Sequence, residues 1–315
     1  MDRPSLEPVL VLAWAIAIDL LLGELPTRFH PVAWVGRLIA ALEARAPARS
    51  PVGQLLYGAA MVALTVALVG GLCYVLLSLV AVWSRIAYVL GAALLLKSSF
   101  AVRELRRAAD RVKLRLLADD LSGARAELRA LVSRDTTDLG RAHLAAAAVE
   151  SVAENTVDSF IAPVFFFLIF APAGPLAPVA AFCYRVVNTF DSMIGYHGRY
   201  EYLGRVAARL DDLLNWLPAR LGALCLVAAA VFLGDARNAW RVLCRDHGRT
   251  ASPNAGWTMS AAAGALHVTL EKVGHYRLGD GRPPQPPEIA QMCRLALATV
   301  LLFAGLGGLI LLLAS

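Results

Sequence analysis

From Leu55 through Val82 the chain carries no charged side chain, and no other feature narrows its folding so much. About 20 apolar residues of helix are enough to cross the hydrocarbon core of a bilayer. Phe160 to Pro172, Leu213 to Leu233 and Leu295 to Ala314 repeat the pattern. Pro8 to Leu22, which holds Asp19, Ile86 to Leu96, and Leu176 to Phe190, which holds Arg185 and Asn188, repeat it more weakly. With 58% of its 315 residues hydrophobic and 17% charged, the chain has too little polar surface to cover such a body in water. That balance argues against a soluble enzyme. Pro8 to Leu22 reads as a membrane helix and not as a cleaved leader, because Asp2 and Glu7 stand beside Arg3 and no A-x-A site follows.

Backbone groups in lipid must be bonded within their own segment, which makes the spans helices. The polar stretches between them also show helical spacing. The expected fold is all-α: a polytopic membrane helix bundle of five to seven membrane helices with amphipathic cytoplasmic helices, forming one integral membrane domain over 1–315. Between Phe100 and Ala142 leucines recur among arginines as in an amphipathic hairpin broken near Ser122-Gly123. Its cations include Arg103, Arg106, Arg107, Arg111 and Arg115, so the positive-inside rule sets the arm 101–157 in the cytoplasm. Seven crossings would leave the polar helical segment 234–291 outside, against its own Arg237, Arg241, Arg245 and Arg249. A cytoplasmic 234–291 is preferred. It follows if Leu213 to Leu233, with its Pro218 and Arg220, crosses incompletely, or if part of Ala255 to Leu270 re-enters the membrane.

Net charge is +6, and among 30 basic residues only Lys97, Lys113 and Lys272 are lysines. The planar arginine fork suits phosphates and carboxylates, although GC-rich coding enriches arginine as well. Five cysteines without a C-x-x-C pair indicate neither a disulfide framework nor a zinc site. No P-loop, H-E-x-x-H or G-x-S-x-G motif occurs. Aromatic residues do not interleave with the basic arm, so nucleic acid is not an expected partner.

Three stretches carry chemistry. In HLAAAAVESVAENTVDSFI, Glu150, Glu154 and Asp158 follow at steps of four, close neighbours on one helix face. Carboxylates on such a ridge repel unless a cation lies between them, and oxygen donors suit Mg²⁺. A solvated acidic face paired with the arginine-rich arm is the competing reading. Asn155 adds an uncharged amide beside them. In the second stretch, Tyr184 to Leu221, Arg185, Asn188 and Ser192 share a face with Asp191 alongside, and ionisable groups in a membrane segment point to function. Arg205, Arg209 and Asp212 offer two guanidinium groups and a carboxylate, or a plain ion pair. Further on, SPNAGWTMSAAAGAL looks like a helix start with Ser252 as cap and Pro253 in the first turn. Such an end suits a phosphate. Gly256, Ser260 and Gly264 would let another helix approach closely.

At these blocks the sequence resembles the adenosylcobinamide-phosphate synthases, membrane proteins of cobalamin biosynthesis. The similarity runs from about Asp19 to Gly281 and rests on DLLLGELPTRFHPVAWVGRLI, LLKSSFAVRELR, LVSRDTTDL, AVESVAENTVDSFIAPVF, VNTFDSMIGY, LGRVAARLDDLLNWLPARL, SPNAGWTMSAAAGAL and GHYRLGDG, in the family order. Ser159, His197 and Thr258 stand where the family usually has Gly, Lys and Pro.

The resemblance implies a multi-pass ligase of the bacterial inner membrane with its active site facing the cytoplasm. It would join a corrinoid substrate, adenosylcobyric acid, through a propionate carboxylate to aminopropanol phosphate or a similar amino alcohol phosphate, with ATP consumed. On this reading Glu150, Glu154 and Asp158 hold Mg²⁺, and Asn155 and Asn188 orient substrate or metal-bound water. Arg185, Arg205 and Arg209 hold phosphates, and Asp191, Asp211 or Asp212 takes the proton of the attacking ammonium. Ser252 and Asn254 form an anion pocket with His30 and Arg134 at its rim. Membrane lipid, and other membrane enzymes of nucleotide-loop assembly, are the expected partners. A regulatory membrane protein related to β-lactamase induction and a corrinoid transporter are the rivals.

Overall fold

The computed structural model describes residues 6–47, 50–132 and 135–314. Its elements in chain order are α1 (Glu7–Leu21), α2 (Pro31–Glu43), α3 (Pro51–Trp83), α4 (Arg85–Lys97), α5 (Val102–Leu117), α6 (Leu121–Leu128) and α7 (Arg141–Thr156). A π-helical turn over Val157–Ile161 leads into α8 (Ala162–Phe170), followed by α9 (Leu176–Ile194), α10 (Arg205–Leu214), α11 (Trp216–Leu233), α12 (Ala236–Asp246) and α13 (Ala255–Ala265). A short antiparallel hairpin, β1 (Leu270–Lys272) and β2 (Tyr276–Leu278), precedes α14 (Pro286–Ala314). The fold is all-α apart from that hairpin, which interrupts the stretch read as helical. Gly274 supplies its turn with a φ of 77°, a conformation that glycine adopts without strain.

Among the described residues five helical stretches are long and apolar enough to cross a membrane: Pro51–Trp83, Arg85–Leu117, Arg141–Ala173, Trp216–Leu233 and Pro286–Ala314. The chain is a membrane protein. Local chemistry sets several boundaries. Ser50 caps α3 by accepting the Gly53 N–H at 3.0 Å, and Pro51 occupies the first turn. Ser84 has extended backbone and caps α4 through the Ala87 N–H at 3.3 Å. The amphipathic arm breaks at Ala118–Asp120, two residues or more before the expected Ser122-Gly123, because Asp120 accepts the Gly123 N–H at 2.8 Å and starts α6 there.

Contacts divide the chain into two compact units. The first comprises the chain up to Ala101, Ala162–Asn215 and the end from Gly307. In it α1 packs on α4, α8 on α9, and α3 on α4, α9 and α10. Its core includes Ile39, Met61, Phe182, Phe190 and Leu203. A Cβ on Gly58 of α3 would run into the Leu203 carbonyl, so glycine is what lets these backbones meet.

The second unit comprises Val102–Ile161 and Trp216–Leu306. In it α5 packs on α6 and α7, and α13 packs on α7, α11 and α12. Val112, Leu116, Leu128, Leu144, Leu226 and Met292 are among its buried residues. Gly256 and Gly264 of α13 face the carbonyls of His247 and Asn238, where a Cβ would collide with either. The small-residue spacing of α13 therefore does bring a neighbouring segment close.

Candidate functional site

In the first unit, polar side chains from α9 and α10 converge on one carboxylate. Asn188 Nδ2 donates to Asp211 Oδ1 at 3.2 Å, and Asn215 Nδ2 donates to Asp211 Oδ2 at 2.9 Å. Asn188 Oδ1 accepts from Arg185 Nη1 at 2.9 Å, and Asn215 Oδ1 accepts from the Tyr184 hydroxyl at 2.8 Å. The amide orientations follow from chemistry, since a guanidinium only donates and an ionised carboxylate only accepts. Tyr184, Asn188, Asp211 and Asn215 are buried. Burial pushes Asp211 above the usual carboxylate range, against the pull of the two amide donors. Sequence reasoning named Arg185, Asn188 and Asp211 and missed Tyr184 and Asn215. The apolar run Leu213 to Leu233 had hidden Asn215, which ends α10 before α11 begins.

Tyr184 also forms part of the wall of an apolar cavity of about 590 Å³ between α3, α8, α9 and α10, where Phe166 stacks on its ring with centroids 5.4 Å apart. Around the network the other expected residues are more open. Arg205 and Arg209 are exposed, and Arg209 Nη1 lies 3.9 Å from Asp212 Oδ2. Burial raises Asp212, against the Arg209 charge. Asp191 is half-buried, and its carboxylate lies over Gly195. Ser192 donates to the Asn188 carbonyl at 2.8 Å.

His30 stands in a different cluster of the same unit. Its Nδ1 accepts the Val32 N–H at 3.2 Å, so in the neutral ring the proton sits on Nε2, which donates to Glu24 at 2.7 Å. Glu24 also accepts from Lys97 Nζ at 2.5 Å, and Lys97 lies 3.2 Å from Asp19. Lys97 and Asp19 are each 1% exposed. Burial works to raise Glu24, but His30 and Lys97 outweigh it and hold the carboxyl below its usual range. Only His30 of these four was a sequence candidate.

In the second unit, Glu150 is buried on α7 while Glu154 and Asp158 are half-buried. Asp158 lies in the π turn and not on a continuous α-helical ridge, so the third step of the expected spacing is displaced. Pro163 accounts for the turn: it lacks the N–H that an α-helix would offer to the Ser159 carbonyl, and its ring crowds that carbonyl. Among the described residues no three His, Cys, Asp or Glu side chains gather as a metal cluster. Asn155 Nδ2 turns back on its own helix, donating to the Ser151 carbonyl and hydroxyl at 2.9 and 3.1 Å.

The N-cap position of α13 is Asn254, so the expected cap Ser252 and first-turn Pro253 both stand before the helix. Ser252 Oγ still accepts the N–H groups of Asn254 and Ala255 at 3.2 and 3.3 Å, so two donors expected for an anion are already engaged. Asn254 Oδ1 accepts from Arg220 Nη1 at 3.1 Å. Arg134 lies outside the described residues. A third centre escaped sequence reasoning. Asp246 is fully buried and accepts from Arg245 Nε and Nη2 at 2.7 and 2.6 Å and from the Gly279 N–H at 2.8 Å. These bonds outweigh burial and hold Asp246 below the usual carboxylate range.

The family model described as CobD/Cbib protein matches residues 12–297. The cobalamin biosynthesis protein CobD of Dehalococcoides mccartyi is 50% identical over 294 residues, covering 93% of each chain. The probable cobalamin biosynthesis protein CobD of Thermococcus kodakarensis is 39% identical over 91% of this chain and 89% of its own. Its namesake in Methanocaldococcus jannaschii is 35% identical over 88% of this chain and 90% of its own. No solved structure matches the chain. The chain belongs to the CobD/Cbib family.

Proposed function

We propose, from membership of the CobD/Cbib family, that this protein acts in cobalamin biosynthesis as an ATP-dependent amide ligase. It joins a corrin propionate carboxylate to aminopropanol phosphate or a related amino alcohol phosphate. The observation that carries the reading is the buried Asp211 carboxylate, held by two carboxamides with the Arg185 guanidinium at one end of the chain of bonds.

A carboxylate does not expel oxide, so the acid must first be activated. Transfer of the γ-phosphoryl group of ATP to the carboxylate gives an acyl phosphate and ADP. Attack by the free amine then forms the C–N bond and releases phosphate, and the proton lost by the ammonium passes to a base. The exposed Arg205 and Arg209 and the half-buried Arg185 are suited to phosphate oxygens. Asp212, raised by burial and still reachable, is assigned as the base. Asp211 acts as a positioning group, because its oxygens are committed to the amides, and Asp191 is the alternative acceptor.

For Mg²⁺ the donors in the second unit fit in chemistry but not as a three-carboxylate cage. The half-buried Glu154 and Asp158 would hold it, with phosphate and water completing the shell, which is how Mg²⁺ is commonly bound. When bound it would supply positive charge to phosphate oxygens. The test is amide formation by the purified protein in lipid nanodiscs, supplied with corrinoid acid, amino alcohol phosphate, ATP and Mg²⁺. The ligase reading expects product in the wild type and a loss of at least about tenfold in Glu154→Gln, that is, about 1.4 kcal/mol of barrier. Corrinoid movement across vesicles without product would replace it with transport.

A further inference from the structure

Arg220, the donor to Asn254, has unusually specific surroundings. It projects from the first turns of α11. Its Cζ lies 4.3 Å from the centroid of the Trp216 ring and 4.6 Å from that of Trp257 on α13. Nη1 is engaged by the Trp216 carbonyl at 2.5 Å and by Asn254 Oδ1 at 3.1 Å. Nε and Nη2 donate to no described residue. A guanidinium offers five N–H groups and no acceptor. Here two indoles hold it and one nitrogen is satisfied, while the Nε–Nη2 edge, the one that grips oxyanions two-pronged, is left open. The side chain is only half-buried, so that edge is not sealed in the interior.

A second observation comes from α13. Thr258 lies one turn beyond Asn254 on the same face. Its hydroxyl is buried without a hydrogen-bond partner among the described residues, and buried hydroxyls are rarely left so. Arg220 also sits near one end of a helix apolar enough to span a bilayer, with Trp216 beside it. At that level of a membrane phosphate groups are concentrated, and tryptophan is enriched.

We propose that Arg220, held between Trp216 and Trp257, is a phosphate-binding site whose Nε and Nη2 take two oxygens of one phosphate group. Stacking fixes the fork before the ligand arrives, so little side-chain freedom is lost on binding. The phosphate can come from a lipid headgroup or from a soluble phosphate. The site stands apart from the ligase reading, since binding is measured without turnover.

The two indoles supply the readout. Purified protein in dodecyl maltoside micelles, which contain no phosphate, is titrated with inorganic phosphate in one arm and with dihexanoylphosphatidylglycerol in the other, while tryptophan emission is followed. The expected result is a saturable change in at least one arm, lost in Arg220→Gln and shifted to roughly tenfold weaker binding in Arg220→Lys, which keeps the charge without the fork. A response to both compounds, or to inorganic phosphate alone, makes the source soluble; a response to the lipid alone makes it the headgroup. No saturable change in either arm, or an Arg220→Gln midpoint equal to wild type, overturns the proposal. Should Arg220→Gln not fold, as judged by circular dichroism, an unchanged midpoint in Arg220→Lys overturns it.

Discussion

Asn188 and Asp211 face each other across 3.2 Å, the amide donating and the carboxylate accepting. Asn215 repeats the arrangement from the other side at 2.9 Å. Every bond in the set runs toward Asp211, from Arg185 through Asn188 and from Tyr184 through Asn215.

Removing one arm should therefore weaken the hold on Asp211. Asn215→Ala removes the amide that donates to Asp211 Oδ2 and accepts from the Tyr184 hydroxyl, both in buried surroundings. The expected loss is about 1–3 kcal/mol, read as a lower melting temperature in detergent. Asn215→Asp should be worse at neutral pH than at pH 5, since it sets a second carboxylate against the first.

The pH dependence of Asp211 has a definite sign. Its folded pKa is raised by burial, so its contribution to stability is complete below the unfolded value, about 3.9, and is lost as pH rises through the folded one. Asp211→Asn removes that titration. The stability difference, wild type minus Asp211→Asn, should fall steadily as pH is raised from 4 upward. A difference that is flat with pH would contradict a raised Asp211.

Lys97 should be among the most sensitive positions in the first unit. Lys97→Met would leave the buried Asp19 and the half-buried Glu24 without the cation they share. Breaking a buried pair in this way costs about 3–5 kcal/mol. Glu24 is held below its usual range partly by Lys97, so its stabilisation is present above the unfolded pKa and lost as pH falls through the folded one. In Lys97→Met that acid loss should begin at higher pH, a shift visible in melting curves between pH 3 and 6.

Gly58→Ala tests the close approach of α3. The added methyl meets a backbone carbonyl, Leu203 O, which cannot swing aside as a side chain could. A destabilisation of about 1–3 kcal/mol is expected. Gly71→Ala on the same helix has open space and should leave the melting temperature unchanged or slightly raised.

The membrane helices were legible because uncharged length is a one-dimensional signal, as Leu55 to Val82 shows, while the cap read at Ser252 was misplaced by two residues, Asn254 being the N-cap of α13. What the sequence concealed was either long-range or hidden in an apolar run. Lys97 meets Glu24 across 73 positions, a distance no periodicity reports. Asn215 looked like one polar residue in a membrane segment until Asp211 and Tyr184 were seen to claim both ends of its amide. Pro163 did carry a readable warning about the α7 spacing, since a proline inside a helix frees the carbonyl four residues back. The acidic ridge was drawn as if that proline were absent. The hairpin β1–β2 was missed because strands of three residues have too short a pattern to register.

The buried Lys97 also bears on how the chain enters its membrane during synthesis. Asp19 rides on α1 and its cation on α4, so the earlier helix leaves the ribosome long before its counter-ion exists. Asp19 lies in the last turn of α1 and Lys97 ends α4, and an ionised group that enters the membrane without its partner is costly to place. α1 therefore reaches its final seat only when α4 has followed it, and the first unit is closed by a late segment and not built strictly in the order of translation.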